Sequence, residues 1–537
     1  MNEITKLLYR LVSVRSDTGS SFEKDMADEI YSVIEENQYF KNNPELFGKY
    51  NSGDILDRPV VWALRRGLNN KTLIITGHYD TVGIDSYGIY QQYALDPDNL
   101  KQKFLEGGFG DELIMRDLGD SNWAFGRGIA DMKAGLAIGL NALFTSSEDD
   151  LNILFVAVPD EENISSGAIM AIDLYHELKD KFGLEYVLAI VPEPESHEVG
   201  EAVDIIGGSM GKFMPVIVVK GILTHAGYLM KGLNSGFILS EIIRRIELDK
   251  TKILSKDGIY TQPPTVQMFR DLKKGYDVSV PEYSAALFNF MFLKLRTPNS
   301  YIEDLRIVCR DALETAVHKY NDTFSELVDM GLQKEEFRLK FDPRVMTLAE
   351  LDEYSSNKKA GYKIFKDKLN QEISKKVHSK EITLQTASID IIKAILEYSE
   401  ITDPVAVVGI SPPYYPAVAN DVLDKDVHYA FDDLEISLRE EFGFGLRHVY
   451  SNLGMTDISY MSCTDPQGER EFLENMTVPK ELYDIPVERI AELNIPTYKI
   501  GPVERDIHKI GERVYLPDVE AVIPKVFNKI IRNLSIR

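Results

Sequence analysis

Cysteine is scarce in this chain: Cys309 and Cys463 are the only two among 537 residues. They could form at most one disulfide, and so small a number fits reduced thiols in a cytosolic protein better than a disulfide-stapled secreted one. No long basic run is present and the formal net charge is −25. Phosphate backbones demand concentrated Lys and Arg, so nucleic acid is not an expected partner. No apolar run approaches the ~20 residues that span a bilayer, and no membrane partner is expected. The opening MNEITKLLYRLVSVRS lacks the architecture of a signal peptide and reads as an amphipathic helix, with Ile4, Leu7, Leu8, Leu11 and Val12 on one stripe. The expected location is the cytoplasm. Internal repeats and long low-complexity tracts are also missing. What remains is a globular chain, 44% hydrophobic, too long for one ordinary domain.

The first 200 residues or so alternate strand and helix. TLIITG (72–77), LNILFVAV (151–158) and YVLAIV (186–191) read as buried strands. Residues 24–36, DMKAGLAIGLNALF (131–144) and SSGAIMAIDLYHELK (165–179) read as helices. Such alternation predicts an α/β sheet, mixed but mostly parallel, with right-handed crossovers and flanking helices. Sites in these sheets gather at the carboxyl ends of strands.

The pattern then changes to strand 213–221, helix 237–248, strands 265–272 and 284–296, helix 301–320 and a closing strand FRLKFD (337–342). This β-α-β-β-α-β order predicts an inserted α+β module, a split βαβ with four strands and two helices, over 209–343. Residues 1–208 and 344–537 would form the first domain. Polar helices (347–376 and 382–400), a strand VAVVGI (405–410), a Pro-rich loop GISPPYYPAV and helices 433–441 and 518–534 complete the chain.

The chemistry sits where the apolar runs end. In GHYDTV, His78 follows a strand, and Asp80 could hold its imidazole tautomer; alone, the pair reads as well as a surface turn. In GRGIADMKAG, Asp131 is either a helix N-cap or a carboxylate able to bridge two cations. The PDEEN turn stacks Asp160, Glu161 and Glu162 after a buried strand. Such like charges call for something positive, and adjacent glutamates could divide ligation from proton transfer; a solvated acidic loop is the plainer alternative. Glu193 in VPEPE repeats the device on the next strand, and a rigid turn would explain it equally.

In order along the chain, GHYDTV, GRGIADMKAG, DEEN, PEPE, GMTDISY and Gly501-Pro502 followed by His508-Lys509-Ile510-Gly511-Glu512 resemble the M20 metallopeptidases, a family of aminoacylases, carboxypeptidases, di- and tripeptidases and related amide hydrolases. The resemblance implies a zinc-exopeptidase-like catalytic domain and an inserted lid that can mediate a homodimer. It implies two divalent ions, zinc first, with cobalt or manganese as substitutes. His78 and Glu193 would hold one ion, Glu162 and His508 the other, and Asp131 would bridge them. Asp80 would orient His78, Glu161 would act as general base and then acid, and His225 of the lid would meet the substrate carbonyl.

The chain departs from the family where a lid element usually binds substrate carboxylate: 264–281 shows no clear match, and Arg296 is the substrate-binding candidate that remains. Insertions around 88–120 and the charged helices at 347–400 look most like the arginine-utilisation, RocB-like subgroup. The expected function is hydrolysis of the amide bond of a small N-acyl amino acid or short peptide. The alternative is an inactive homologue that binds metal or ligand, or serves as a scaffold. The intact Glu161, Glu162 and His225 speak against it.

Overall fold

The computed structural model describes residues 2–423, 427–452 and 454–536. The chain divides into two compact units: Met1–Ser209 with Val418–Thr464 and Glu488–Arg537, and Met210–Ala417 with Asp465–Val487.

The first unit is built on an eight-stranded sheet. Its strands run in the order Phe47–Tyr50, Val60–Arg65, Asn152–Val158, Lys71–His78, Glu185–Val191, Thr497–Lys499, Ala202–Ile206 and Gly445–Val449. The centre is parallel: Lys71–His78 lies between Asn152–Val158 and Glu185–Val191, and Thr497–Lys499 continues the parallel run. Antiparallel pairings occur on either side of that centre. Every residue of Asn152–Val158 is buried, so this strand reads as a continuous apolar run instead of an alternating one, as expected of a central strand covered on both faces. The helices Phe22–Glu36, Gly135–Thr145 and Ser166–Phe182 lie close to the expected positions. The helix expected over 131–144 starts only at Gly135, because Asp131 has φ −109° and ψ 100°. The 88–120 insertion forms helices Pro97–Gly107 and Glu112–Leu118. Leu100, Phe104 and Leu118 of this segment pack with Tyr87, Trp123 and Phe125 in a small core of their own.

The second unit holds a five-stranded sheet in the order Thr265–Asp271, Tyr283–Phe292, Gly211–Lys220, Val405–Tyr415 and Arg344–Thr347. The expected module had four strands and ended at 343. Val405–Tyr415 pairs along Gly211–Lys220 and Arg344–Thr347 pairs parallel to Val405–Val408, so the unit runs on to Ala417. FRLKFD (337–342) is not a strand: a short 3-10 turn covers Glu335–Phe337 and the pairing begins at Arg344. Nor is GISPPYYPAV wholly a loop, since the strand continues through Pro412 and Pro413 to Tyr415 with a register shift. Leu384–Ser399 buries an apolar face of Ile389, Ile391, Ile392, Ile395 and Leu396. The charged 347–400 segment therefore carries part of this unit's core. Neither cysteine is in a disulfide, and both are buried.

Candidate active site

Three parallel strands end side by side, and the candidate residues leave from those ends. His78 is the last residue of its strand, in register with Val158. Glu161 and Glu162 follow the second strand, and Glu193 follows the third, beyond Val191.

His78 is almost fully buried. Its Nδ1 lies 2.9 Å from the Asp80 carbonyl oxygen and its Nε2 lies 3.0 Å from Asp131 Oδ1. An N–H on Nδ1 donating to that carbonyl leaves Nε2 with a lone pair for a ligand. The Asp80 carboxylate is farther from Nδ1, at 3.5 Å, and is engaged elsewhere. Its oxygens accept the backbone N–H groups of Glu161 (3.1 Å) and Glu162 (3.2 Å) and the Thr18 hydroxyl (2.8 Å). Burial acts to raise the Asp80 pKa, but the neighbouring His78 and the hydrogen bonds from Thr18 and the Glu161 N–H prevail and hold it below the usual carboxylate range. Asp80 thus fixes the acidic turn as well as lying beside the imidazole.

That turn has a second support. Asp160 adopts φ +69°, a costly conformation for a non-glycine residue. Arg58 Nη1 donates to Asp160 Oδ1 (2.6 Å) and Ser166 Oγ to its Oδ2 (2.6 Å), while Glu23 Oε1 accepts the Asp160 N–H (3.0 Å). Arg58 and Glu23 had no signal in the sequence, since their partners lie 102 and 137 residues away.

Asp131 is not a helix cap. Its Oδ1 faces His78, and its Oδ2 lies 3.2 Å from His508 Nε2. His508, half-exposed, also reaches Glu162 Oε1 at 2.7 Å. Ligand atoms of His78, Glu161 and Glu162 lie within 4.8 Å of one another, and so do those of Asp131, Glu162 and His508. Glu193 belongs to neither group. It is buried, and its Oε1 has no hydrogen-bond partner among the described residues.

The electrostatics are those of an acid-rich pocket. Hydrogen bonds to Asp131 and Glu162 push His508 up to about 10. Burial raises Glu193 to about 8, with Asp131 and Asp457 adding to the effect and Lys499 and His78 opposing it. Burial likewise raises Glu161 and Glu162.

Several further residues surround the cluster. Asp457, from GMTDISY, is buried, and burial raises it to about 7. Lys499 Nζ pairs with Glu195 at 2.8 Å and reaches Asn452 at 3.3 Å. Glu512 and Arg127 form a buried pair. Asp457, Arg127 and Glu512 all lie inside the motifs singled out above, whereas Lys499 lies on a short strand with no distinguishing mark. The structure does not bring His225 or Arg296 into this cluster's unit. His225 is exposed on a loop after Gly211–Lys220, with Nδ1 accepting the Gly227 N–H. Arg296 is turned onto the helix that follows it, Pro298–Asp329, bonded to Ser300 and Asp304 and stacked over Tyr301.

The family description that matches residues 115–472 is peptidase family M20/M25/M40. The chain is 30% identical over 534 residues to the uncharacterized protein YqjN of Bacillus subtilis, covering 98% of this chain and 95% of YqjN. It is 28% identical over 539 residues to protein RocB of the same organism, covering 97% and 93%. Among solved structures, the M20 family metallo-carboxypeptidase Sso-CP2 of Sulfolobus solfataricus shares the fold, with a TM-score of 0.53 at 13% identity and full coverage of both chains.

Proposed function

The chain belongs to peptidase family M20/M25/M40 and is a hydrolase of peptide or amide bonds; from that premise we propose a two-metal mechanism acting on a small N-acyl amino acid or short peptide. The observation that carries it is the pair of imidazole Nε2 atoms on the two oxygens of Asp131, at 3.0 and 3.2 Å. The donor set fits divalent metal. It consists of imidazole nitrogens and carboxylates, its carboxylates raise the His508 pKa to about 10, and it includes a buried Glu193 oxygen with no hydrogen-bond partner among the described residues. Nitrogen and oxygen donors of this kind suit zinc, with cobalt or manganese as substitutes. His78, Asp131 and Glu193 would hold one ion and Glu162, Asp131 and His508 the other. When bound, such ions supply Lewis-acid polarisation of a carbonyl and a lowered pKa for water.

The protein's own part follows from its side chains. Glu161 takes a proton from the attacking water and later delivers it to the leaving amine. Its burial raises the carboxyl pKa, which lets it keep that proton between the two transfers. The Asp80 carboxylate and the Arg58–Asp160–Glu23 cluster hold the turn that carries Glu161. His225 is proposed to hydrogen-bond the substrate carbonyl oxygen.

The test is a panel of N-acyl amino acids and dipeptides, assayed on chelator-stripped protein restored with Zn²⁺, Co²⁺ or Mn²⁺. Hydrolysis that vanishes on stripping and returns with metal supports the reading. Tight metal uptake without hydrolysis of any panel member would replace it with a binding role.

A further inference from the structure

Asp131 and His508 meet although 377 positions of numbering separate them, and the structure holds them together from behind. Strand Arg513–Tyr515 pairs antiparallel with Trp123–Phe125. The Gly126 N–H donates to the Glu512 carbonyl at 3.2 Å. Beyond that point the side chains take over. Arg127 and Glu512 are each about 1% exposed and form an ion pair at 2.5 Å. The other guanidinium nitrogen, Nη2, donates to the His508 carbonyl (3.3 Å) and to Ser86 Oγ (3.0 Å). Glu512 Oε1 accepts the N–H groups of Ala130 (3.3 Å) and Asp131 (3.4 Å). One ion pair therefore touches the main chain of both residues.

A buried ion pair is a poor means of adding stability, because desolvation offsets most of the Coulomb gain and an apolar pair of similar volume serves as well. An apolar pair could not supply donors and acceptors aimed at two backbones. His508 also sits at φ +64°, a conformation that persists only where its surroundings over-determine it. We propose that Arg127 and Glu512 are positioning residues that set the placement of Asp131 against His508, and with it the affinity of the metal site those two share. The proposal rests on the metal-centre reading above.

The experiment titrates metal-free protein with Co²⁺, followed by its d–d absorption and by calorimetry, for wild type, Arg127→Lys, Glu512→Gln, Ser86→Ala and the control His508→Ala. Folding is checked by circular dichroism without metal. Wild type should bind two equivalents. Folded Arg127→Lys and Glu512→Gln should keep one near wild-type affinity and weaken the other ten- to hundredfold, the usual effect of losing a supporting partner, with an altered cobalt spectrum. The weakened equivalent should be the one lost in His508→Ala. Two unchanged equivalents in either folded variant would overturn the proposal while leaving the metal centre intact. Should both buried variants fail to fold, Ser86→Ala decides, since Ser86 is exposed. A several-fold weakening of the same equivalent supports the clamp, and no change overturns it. Wild type that takes up no metal overturns the metal-centre reading and the clamp together.

Discussion

A single carboxylate facing two imidazoles is the residue-scale feature from which the rest follows. Glu161→Gln should preserve metal content and melting temperature while lowering turnover by about 10²–10⁴-fold, the usual range for a lost general base. Metal analysis beside a single-turnover assay checks this, and near-normal turnover would remove Glu161 from the role. The proton load of the pocket gives a second prediction. His508 rises from its usual 6.5 to about 10, and Glu193 from 4.5 to about 8. Both are raised in the folded protein, so each contributes stability that is lost as pH climbs from the unfolded value to the folded one. The two windows overlap between 6.5 and 8. Metal-free protein should therefore melt at a lower temperature at pH 8 than at pH 6.5. Zn²⁺ should remove that loss, because a bound cation replaces the protons. A melting temperature that rises with pH across this window in metal-free protein would contradict the assignment of these groups.

Among the elements, strand ends and the turns beyond them decide the site. Pro192 and Glu193 are approached by backbone on two sides: a Cβ on Gly501 would lie 1.9 Å from the Glu193 carbonyl oxygen, and one on Gly135 would lie 2.2 Å from that of Pro192. Both neighbours are main-chain atoms and cannot yield as a flexible side-chain tip would. Gly501→Ala should destabilise the protein by about 1–3 kcal/mol or more and displace Glu193. Thermal melts with metal stoichiometry check this, and a variant that melts and loads like wild type would show that the turn has slack. The elements also show where sequence reading succeeds. The runs ending at His78 and Val158 were legible because burial on both faces leaves uninterrupted apolar residues. FRLKFD misled because its alternation imitates a half-buried strand, while Arg344–Thr347 gains its pairing from Val405–Val408, a partner 61 positions on. The 3.6-residue period starts near Asp131 and predicts a helix from that residue. Nothing local announces the extended backbone at that residue.

For the whole molecule, the two units are interleaved along the chain: the second takes in 210–417 and also 465–487. The chain passes between them more often than an inserted domain over 209–343 would require. Composition marks 347–400 as charged and says nothing of the apolar stripe that Leu384–Ser399 buries. A chain lacking 347–400 should consequently lose the second unit and be recovered insoluble or protease-sensitive. A well-folded deletion product would show the segment to be an appendage. The five-stranded sheet also ends in an edge strand, Thr265–Asp271, with Phe269 exposed. Among the described residues this edge pairs with no further strand, and such an edge is a ready surface for a second copy. Light scattering should report a dimer that Phe269→Glu weakens, and a wild-type monomer at high concentration would end that proposal.

The central claim is that two cations share Asp131. Anomalous diffraction from crystals soaked in Zn²⁺ tests it most directly. The account predicts two peaks on either side of the Asp131 carboxylate, one beside His78 and Glu193, the other beside Glu162 and His508. A single peak away from Asp131, or none in crystals shown to contain zinc in the mother liquor, would contradict it.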